Sequence, residues 1–389
     1  MQSICREYRH RKIIVIPYSK GVSKVVFSCK NDIIFNMITK VMDVTGEPID
    51  KECLKEAAGI LQNGGLVAFP TETVYGLGGD ATDKEASRKI YQAKGRPSDN
   101  PLIVHIADFK QLEDISQDLP KEARALADAF WPGPLTMVVN KNNVIPYETT
   151  GGLDTVAVRM PSHPVALALI KESGCMIAAP SANTSGRPSP TKASHVYEDL
   201  NGKIEAILDG GPVDIGLEST IVDLTEDVVT ILRPGYINKQ MLEAVVGQVQ
   251  IDPGIVYNDK GTTTGARPKA PGMRYKHYAP KGDLTIVSGN EDAVVKAINS
   301  MAVDAISQGS RVGIIATSAT AGRYDAGNVL VIGDRDDERS IAHNLYDILR
   351  QFDEMNVDVI YSESFATPQI GQAIMNRLLK AAGQKTIEV

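Results

Sequence analysis

The chain has 389 residues, 41 of them Lys or Arg and 48 Asp or Glu, which sets the formal charge at −7 and the isoelectric point near 5.5. That balance argues against a wholesale polyanion binder, and the longest apolar runs, such as Leu66 to Phe69 and Val312 to Ala316, fall far short of the ~20 residues of a membrane-spanning helix. With 43% apolar and 23% charged residues the composition is globular, and the length suits two buried cores, since domains run to roughly 100 to 200 residues.

Residues 1–36 stand apart. They hold seven basic residues (Arg6, Arg9, Arg11, Lys12, Lys20, Lys24, Lys30) against Glu7 and Asp32, a surplus of five that leaves the remainder at −12. A basic arm could touch nucleic acid, but a disordered extension or a start at Met37 is the favoured reading, and no function is assigned to it. The first six residues lack the apolar core of a secretory signal, and Cys5, Cys29, Cys53 and Cys175 are scattered with no CxxC pair, as expected of reduced thiols in a cytoplasmic protein.

From Asp50 the pattern is regular. Leu54, Ala57, Ala58 and Leu61 recur at helical spacing, Asp50 can cap the helix, and Gly64 and Gly65 end it before a strand at Leu66 to Phe69. A second helix runs from Asp83 to Gly95, and Pro101 to Ile106 reads as a buried strand. Further strands are expected at 135–139, 155–160, 176–179, 204–208, 220–224 and 228–232, which together predict a twisted mixed sheet over residues 37–249. Residues 250–282, rich in Pro and Gly, read as a linker or lid. Beyond them, strands at 284–288, 312–316, 329–332 and 357–361 alternate with helices near 292–307, 340–354 and 369–382, which predicts a smaller Rossmann-like α/β domain over 283–389. It has no GxGxxG after its first strand, so no dinucleotide is placed there.

No GxxxxGK[ST], GxSxG, HExxH or protein-kinase signature occurs, so any nucleotide site must be built otherwise. Four stretches invite chemistry. Phe69 to Gly79 is a strand end running into hydroxyls and glycines, and serves equally as a ligand turn or as plain strand-to-helix chain reversal. Lys94, Gly95, Arg96, Pro97, Ser98, Asp99, Asn100 and Pro101 bring two cations and an amide to a sheet edge, where Arg96 could grip phosphate in a bidentate way. In Thr155 to Met160 the period of two sets Thr155, Ala157 and Arg159 on one face, and Arg159 there suits either a substrate carboxylate or an internal salt bridge. The stretch from Ala179 to Ser189 is another strand running into a hydroxyl-rich loop. Of the six histidines, His105 sits within a strand, where a structural role is the commoner one. Scattered Asp and Glu form no metal cage, so a divalent ion would arrive mostly on phosphate and water ligands.

Together, PTETVYGLG at Pro70 to Gly78, KGRPSDNPL at Lys94 to Leu102, TVAVRMPSHP at Thr155 to Pro164, PSANTSGRPSP at Pro180 to Pro190, ESTIVD at Glu218 to Asp223 and LRPG at Leu232 to Gly235 closely resemble the threonylcarbamoyl-AMP synthases in order and spacing. The segment Ala270 to Pro280 and the extra C-terminal domain look like the two-domain Sua5 branch rather than the single-domain YrdC branch. The resemblance covers about Met37 to Val389, and residues 1–36 have no counterpart in the family's general pattern.

The resemblance implies a YrdC-like catalytic domain, and an enzyme of the nucleotidyltransferase class that makes threonylcarbamoyl-AMP and pyrophosphate from L-threonine, bicarbonate or CO₂, and ATP. Its product would pass to a threonylcarbamoyl-transferase complex acting on tRNAs that read codons beginning with A. By similarity, Thr73, His105, Arg159, Ala179 and Ser219 would line the threonine pocket, with Arg159 on the carboxylate. Arg96, Asn100, Thr155, Ser181, Ser189 and Arg233 would hold ATP, Lys94 would join Arg96 as a catalytic cation, and Tyr278 would close over the site. Mg²⁺ would come on the ATP phosphates. Two rivals remain at this point. One is a non-catalytic module binding double-stranded RNA, disfavoured by the charge of −12 outside the arm, although weak RNA binding stays open. The other is carbamoyl transfer of the hydrogenase-maturation type, which would bring zinc-binding CxxC pairs that this chain does not have.

Overall fold

The computed structural model describes residues 5–8, 11–19, 22–29, 32–256, 277–365 and 369–389, with the backbone alone for 5–36 and for 256. Most of the predicted linker or lid, including 270–276, lies outside the described residues. Four antiparallel strands come first, β1 (Cys5–Tyr8), β2 (Arg11–Ser19), β3 (Val22–Cys29) and β4 (Asp32–Met37), paired in chain order. They occupy the segment read from its charge as an extension. The signal that counting charge overlooks is the β-branched and aromatic content of Ile13 to Ile16, Val25 to Phe27 and Ile33 to Phe35.

An eleven-stranded mixed sheet follows. Its strands are β5 (Lys40–Asp43), β6 (Val67–Phe69), β7 (Gly76–Asp80), β8 (Ile103–His105), β9 (Leu135–Asn140), β10 (Thr155–Arg159), β11 (Ile177–Ala179), β12 (Ala206–Asp209), β13 (Thr220–Asp223), β14 (Val229–Arg233) and β15 (Val249–Ile251). They lie in the order β15-β14-β13-β9-β10-β8-β11-β7-β6-β12-β5. With them run α1 (Lys51–Gln62), α2 (Lys84–Lys94), α3 (Phe109–Ile115), α4 (Lys121–Phe130), α5 (Pro164–Ser173), α6 (Ala193–Leu200), α7 (Lys239–Val246) and the single turn α8 (Pro253–Val256). Local chemistry sets the helix ends: the Asp50 carboxylate accepts from Glu52 N and Cys53 N at the start of α1, Asp83 accepts from Glu85 N at the start of α2, and Gly95 ends α2 with φ 62°.

Alternation along the strands divides the sheet. Val104, Met137, Val156, Val158 and Val222 face one core with Ile90 of α2 and Leu126 of α4. Val67, Phe69, Ile177 and Leu208 face another with Leu54, Leu61, Val165 and Leu169 of α1 and α5. On the second face Ile103, Val138, Ala157, Ile221 and Leu232 form a small apolar floor. Arg159 pairs across from His105, and Arg233 across from Ile221, so these polar side chains rise from the same face as that floor.

The C-terminal domain is a five-stranded all-parallel sheet of β16 (Asp283–Ser288), β17 (Val312–Thr317), β18 (Asn328–Gly333), β19 (Val359–Glu363) and β20 (Thr386–Glu388), in the order β18-β17-β19-β16-β20. Its helices are α9 (Glu291–Ser307), α10 (Glu338–Glu354) and α11 (Gly371–Ala381). The core beneath α10 and α11 takes in Val74, Leu217 and Tyr278 along with Leu345, Phe352, Ile374 and Leu378, so the two domains share apolar packing. Among the described residues no helix is long and apolar enough to cross a membrane.

Candidate active site

The loops after β6, α2 and β11, the end of β10 and the turns flanking β13 and β14 meet around an open cleft whose wall includes Ile103 of the small floor. Gly76 packs closely on Ala179 at the cleft wall, where a Cβ on Gly76 would lie 3.3 Å from the Ala179 Cβ. Ten of the residues assigned by resemblance line the cleft, namely Thr73, Lys94, Arg96, His105, Arg159, Ala179, Ser181, Ser219, Arg233 and Tyr278.

One corner is built around Arg159 at the end of β10. Its Nη1 donates to Thr73 Oγ1 at 2.8 Å, its Nε to Gly133 O at 3.3 Å, and its Nη2 lies 2.7 Å from Glu72 Oε1. Thr71 braces the turn from below, sharing a hydrogen bond with Thr73 Oγ1 at 2.9 Å and donating to Val74 O at 2.6 Å. Burial alone would raise the Glu72 carboxyl, but the Arg159 guanidinium and nearby N–H groups hold it below the ordinary carboxylate range. The sequence left a salt bridge and a substrate contact as alternatives for Arg159, and the geometry provides the salt bridge while leaving the guanidinium on the cleft wall. His105 sits beside it, with its ring edge-on to Phe69 at 5.9 Å. Nδ1 lies 3.1 Å from Ile103 O, which as a carbonyl only accepts, so Nδ1 carries the proton. Burial, reinforced by Arg159, pushes the imidazole down to about 3, and it is neutral at physiological pH.

The opposite side carries cations. Lys94, the last residue of α2, donates to Ser181 O and Asn183 O, and burial with repulsion from Arg96 lowers its ammonium well below the ordinary value. Arg96 donates to Asn100 O at 3.3 Å and Pro101 O at 3.1 Å, and burial brings it down to about 10. Arg233 donates to Ser219 O at 3.0 Å and Ser219 Oγ at 3.1 Å, and Ser219 Oγ meets Thr136 Oγ1 at 2.8 Å. Five lining residues are Lys or Arg, counting Arg187, and the acidic one is Glu218, so the cleft suits a polyanion. Burial would raise the Glu218 carboxyl, but Arg377 and Arg233 bring it down to about 2.

Three assigned residues stand behind the lining. Asn100 is buried and supports Arg96 through its carbonyl. Ser189 is buried and donates to Glu218 Oε1 at 2.6 Å. Thr155 starts β10, four residues before Arg159 and so about 13 Å along the strand. Its side chain shares the face but not the cleft, and contact with a nucleotide there requires the ligand to extend along the sheet.

Glu72, Asn183, Arg187 and Glu218 escaped the sequence reading although each lies inside a quoted motif. The partners of Arg187 and Glu218, Asp199 and Arg377, come from other elements. The glycines of Gly76 to Gly79 were also misjudged. They form β7 and pair with β6 and β11, and a Cβ on Gly78 would lie 2.6 Å from Ile177 Cγ2, so strand packing rather than ligand approach requires that glycine.

A family model described as telomere recombination, covering Sua5, YciO and YrdC, matches residues 59–235, and one described as threonylcarbamoyl-AMP synthase, C-terminal domain, matches 237–383. The chain is 49% identical over 343 residues to the threonylcarbamoyl-AMP synthase of Pyrococcus abyssi, covering 88% of this chain and 98% of the relative. The chain belongs to the threonylcarbamoyl-AMP synthase family. Another relative so named, from Bacillus subtilis, is 49% identical over 348 residues, with 89% and 98% of the two chains covered. In three dimensions this family member is similar to P. abyssi Sua5 complexed with L-threonine, with a TM-score of 0.84, 48% identity, and 90% and 100% of the chains covered.

Proposed function

We propose that this chain is a nucleotidyltransferase that makes L-threonylcarbamoyladenylate and pyrophosphate from L-threonine, bicarbonate or CO₂, and ATP. The observation that carries this reading is a buried corner of Arg159 hydrogen-bonded to Thr73 that shares one cleft with Lys94, Arg96 and Arg233 and suits an amino-acid carboxylate. The threonine amine, in its unprotonated form, adds to CO₂ as one C=O π pair moves onto oxygen, and the proton released from nitrogen passes to water or bicarbonate, which leaves a carbamate. A carbamate oxygen then attacks the α-phosphorus, and the bond from that phosphorus to the bridging oxygen of the departing pyrophosphate breaks. No protein nucleophile is needed, and neutral His105 is not called on as an acid. The chain's own work is positioning and charge compensation: Arg159 orients the amino acid, while Lys94, Arg96 and Arg233 face the charge that builds on the leaving group.

Among the described residues no group of three or more His, Cys, Asp or Glu comes together, and Glu218 is committed to Arg377, Tyr346 and Ser189. Mg²⁺ would therefore be held by phosphate oxygens and water and would offset triphosphate charge. The product would supply a tRNA-modifying threonylcarbamoyl transferase. Pyrophosphate release by the pure protein tests the reading: it should require ATP, threonine and bicarbonate together, and release that ignores threonine would refute it. Salt-sensitive RNA binding without such release would favour the RNA-binding rival.

A further inference from the structure

The two largest fully buried side chains of the described protein are Arg350 and Arg377, and both belong to the C-terminal domain. Neither touches the cleft. Burying a guanidinium carries a heavy desolvation cost, so the groups that these two donate to are informative.

Arg350, from α10, donates through Nη2 to Pro188 O at 2.6 Å and Asp199 Oδ2 at 3.0 Å, and through Nη1 to Asp199 Oδ1 at 3.3 Å. Asp199 in turn pairs with Arg187 and accepts from Thr184 N at 2.9 Å, inside the hydroxyl-rich loop after β11. Arg377, from α11, donates to Glu218 Oε2 at 3.1 Å, to Glu218 O at 3.3 Å and to Pro234 O. The two proline carbonyls adjoin Ser189 and Arg233, both assigned to the nucleotide. Tyr346, one turn before Arg350 on α10, joins the clamps: its hydroxyl donates to the Glu218 carboxylate at 2.9 Å, Glu218 holds Ser189, and its ring lies 5.2 Å from that of Tyr278.

The amino-acid corner is held differently. Arg159 is anchored by Glu72, Thr73 and Gly133, all within the catalytic domain. We propose that Arg350 and Arg377 are positioning residues for the nucleotide side of the cleft, so that the C-terminal domain shapes ATP binding by fastening the loops of Ser189 and Arg233 to α10 and α11. This rests on the proposed reaction. Proline-rich loops have few N–H groups of their own with which to form ladders, and external donors to their carbonyls give them a defined shape.

The test uses full-length protein. Binding of L-threonine and of adenosine 5′-(β,γ-imido)triphosphate with Mg²⁺ is measured by calorimetry for the unmodified protein, Arg350→Lys, Arg377→Lys and Tyr346→Phe, alongside KM for each substrate. Arg350→Lys keeps the charge but loses the fork, and should weaken the nucleotide analogue at least tenfold with threonine affinity within twofold. Arg377→Lys should do the same, with a somewhat larger threonine effect because Ser219 adjoins Glu218. Equal weakening of both ligands, or unchanged analogue binding, overturns the proposal. Should either Lys variant fail to fold by circular dichroism, Tyr346→Phe decides, since it removes one hydroxyl and keeps the ring: threefold weaker analogue binding with threonine unchanged supports the clamp, and no change overturns it. Unmodified protein that releases no threonine-dependent pyrophosphate would instead sink the proposed reaction.

Discussion

At Arg159 one guanidinium is held by Glu72, Thr73 and Gly133 while the side chain lines the cleft, and the partner proposed for it there is the threonine carboxylate. A charged hydrogen bond contributes about 1.5–3 kcal/mol, so Arg159→Ala should raise the threonine KM by about 10- to 150-fold and the ATP KM far less. Steady-state kinetics with each substrate varied in turn checks this, and equal effects on both would contradict the assignment. His105 makes a second prediction. Its native pKa of about 3 lies below the unfolded value of 6.5, so between those values the unfolded chain binds a proton that the native state does not. Stability is therefore complete above pH 6.5 and falls as the pH drops, by about 2 kcal/mol between 6.5 and 5 for this residue. His163, also lowered by burial, contributes with the same sign, and Glu218 adds its loss only below about 4.5. Urea unfolding at pH 7, 6 and 5 should show a shallower decline for His105→Gln than for the unmodified protein, and parallel declines would refute the assignment to His105.

Along α10, His343, Tyr346, Asp347, Arg350 and Asp353 recur every three or four residues and form one stripe against the catalytic domain. His343 Nδ1 lies 2.9 Å from Asp214 O, Asp347 meets Lys192 at 2.9 Å, and Asp353 Oδ2 accepts from Arg187 Nη2 at 3.5 Å. At His343 the helix backbone comes close enough to require a glycine at Gly216. That residue has φ 82°, and a Cβ on it would lie 2.6 Å from both His343 Cα and His343 O. Gly216→Ala should therefore cost about 1–3 kcal/mol in backbone strain alone and push α10 outward. Chemical denaturation measures the cost, and limited proteolysis should cut the domain boundary faster; an unchanged midpoint would show that α10 yields without penalty. Helices with strong end signals, α1 and α2, were legible in advance because Asp50, Asp83 and Gly95 act locally. Strand β7 was not, since four residues of glycine and leucine carry little strand propensity and only neighbours on both sides make them a strand.

For the molecule as a whole, the shared core of Val74, Leu217 and Tyr278 with Leu345 and Phe352, and the arginine clamps, set what a chain cut after Pro280 should do. The truncated protein should melt at a lower temperature, expose apolar surface to a hydrophobic dye, and lose nucleotide affinity before threonine affinity. Thermal scans with both ligands present separately test this, and ligand affinities equal to those of the full chain would show that the catalytic domain holds its loops unaided.

Periodicity, capping residues and six short motifs in order were enough to establish two α/β units, a mixed sheet in the first, and the loops that surround the cleft. Those signals are local, since hydrophobic alternation, helix ends and turn chemistry act over a few residues. What tertiary structure alone decided is which side chains answer one another across long stretches of chain: Tyr346 reaches Glu218 over 128 positions, Arg377 reaches it over 159, and Arg350 reaches Pro188 over 162. A buried charge needs a partner at contact distance, and no pattern along the chain specifies which residue the folded backbone brings there.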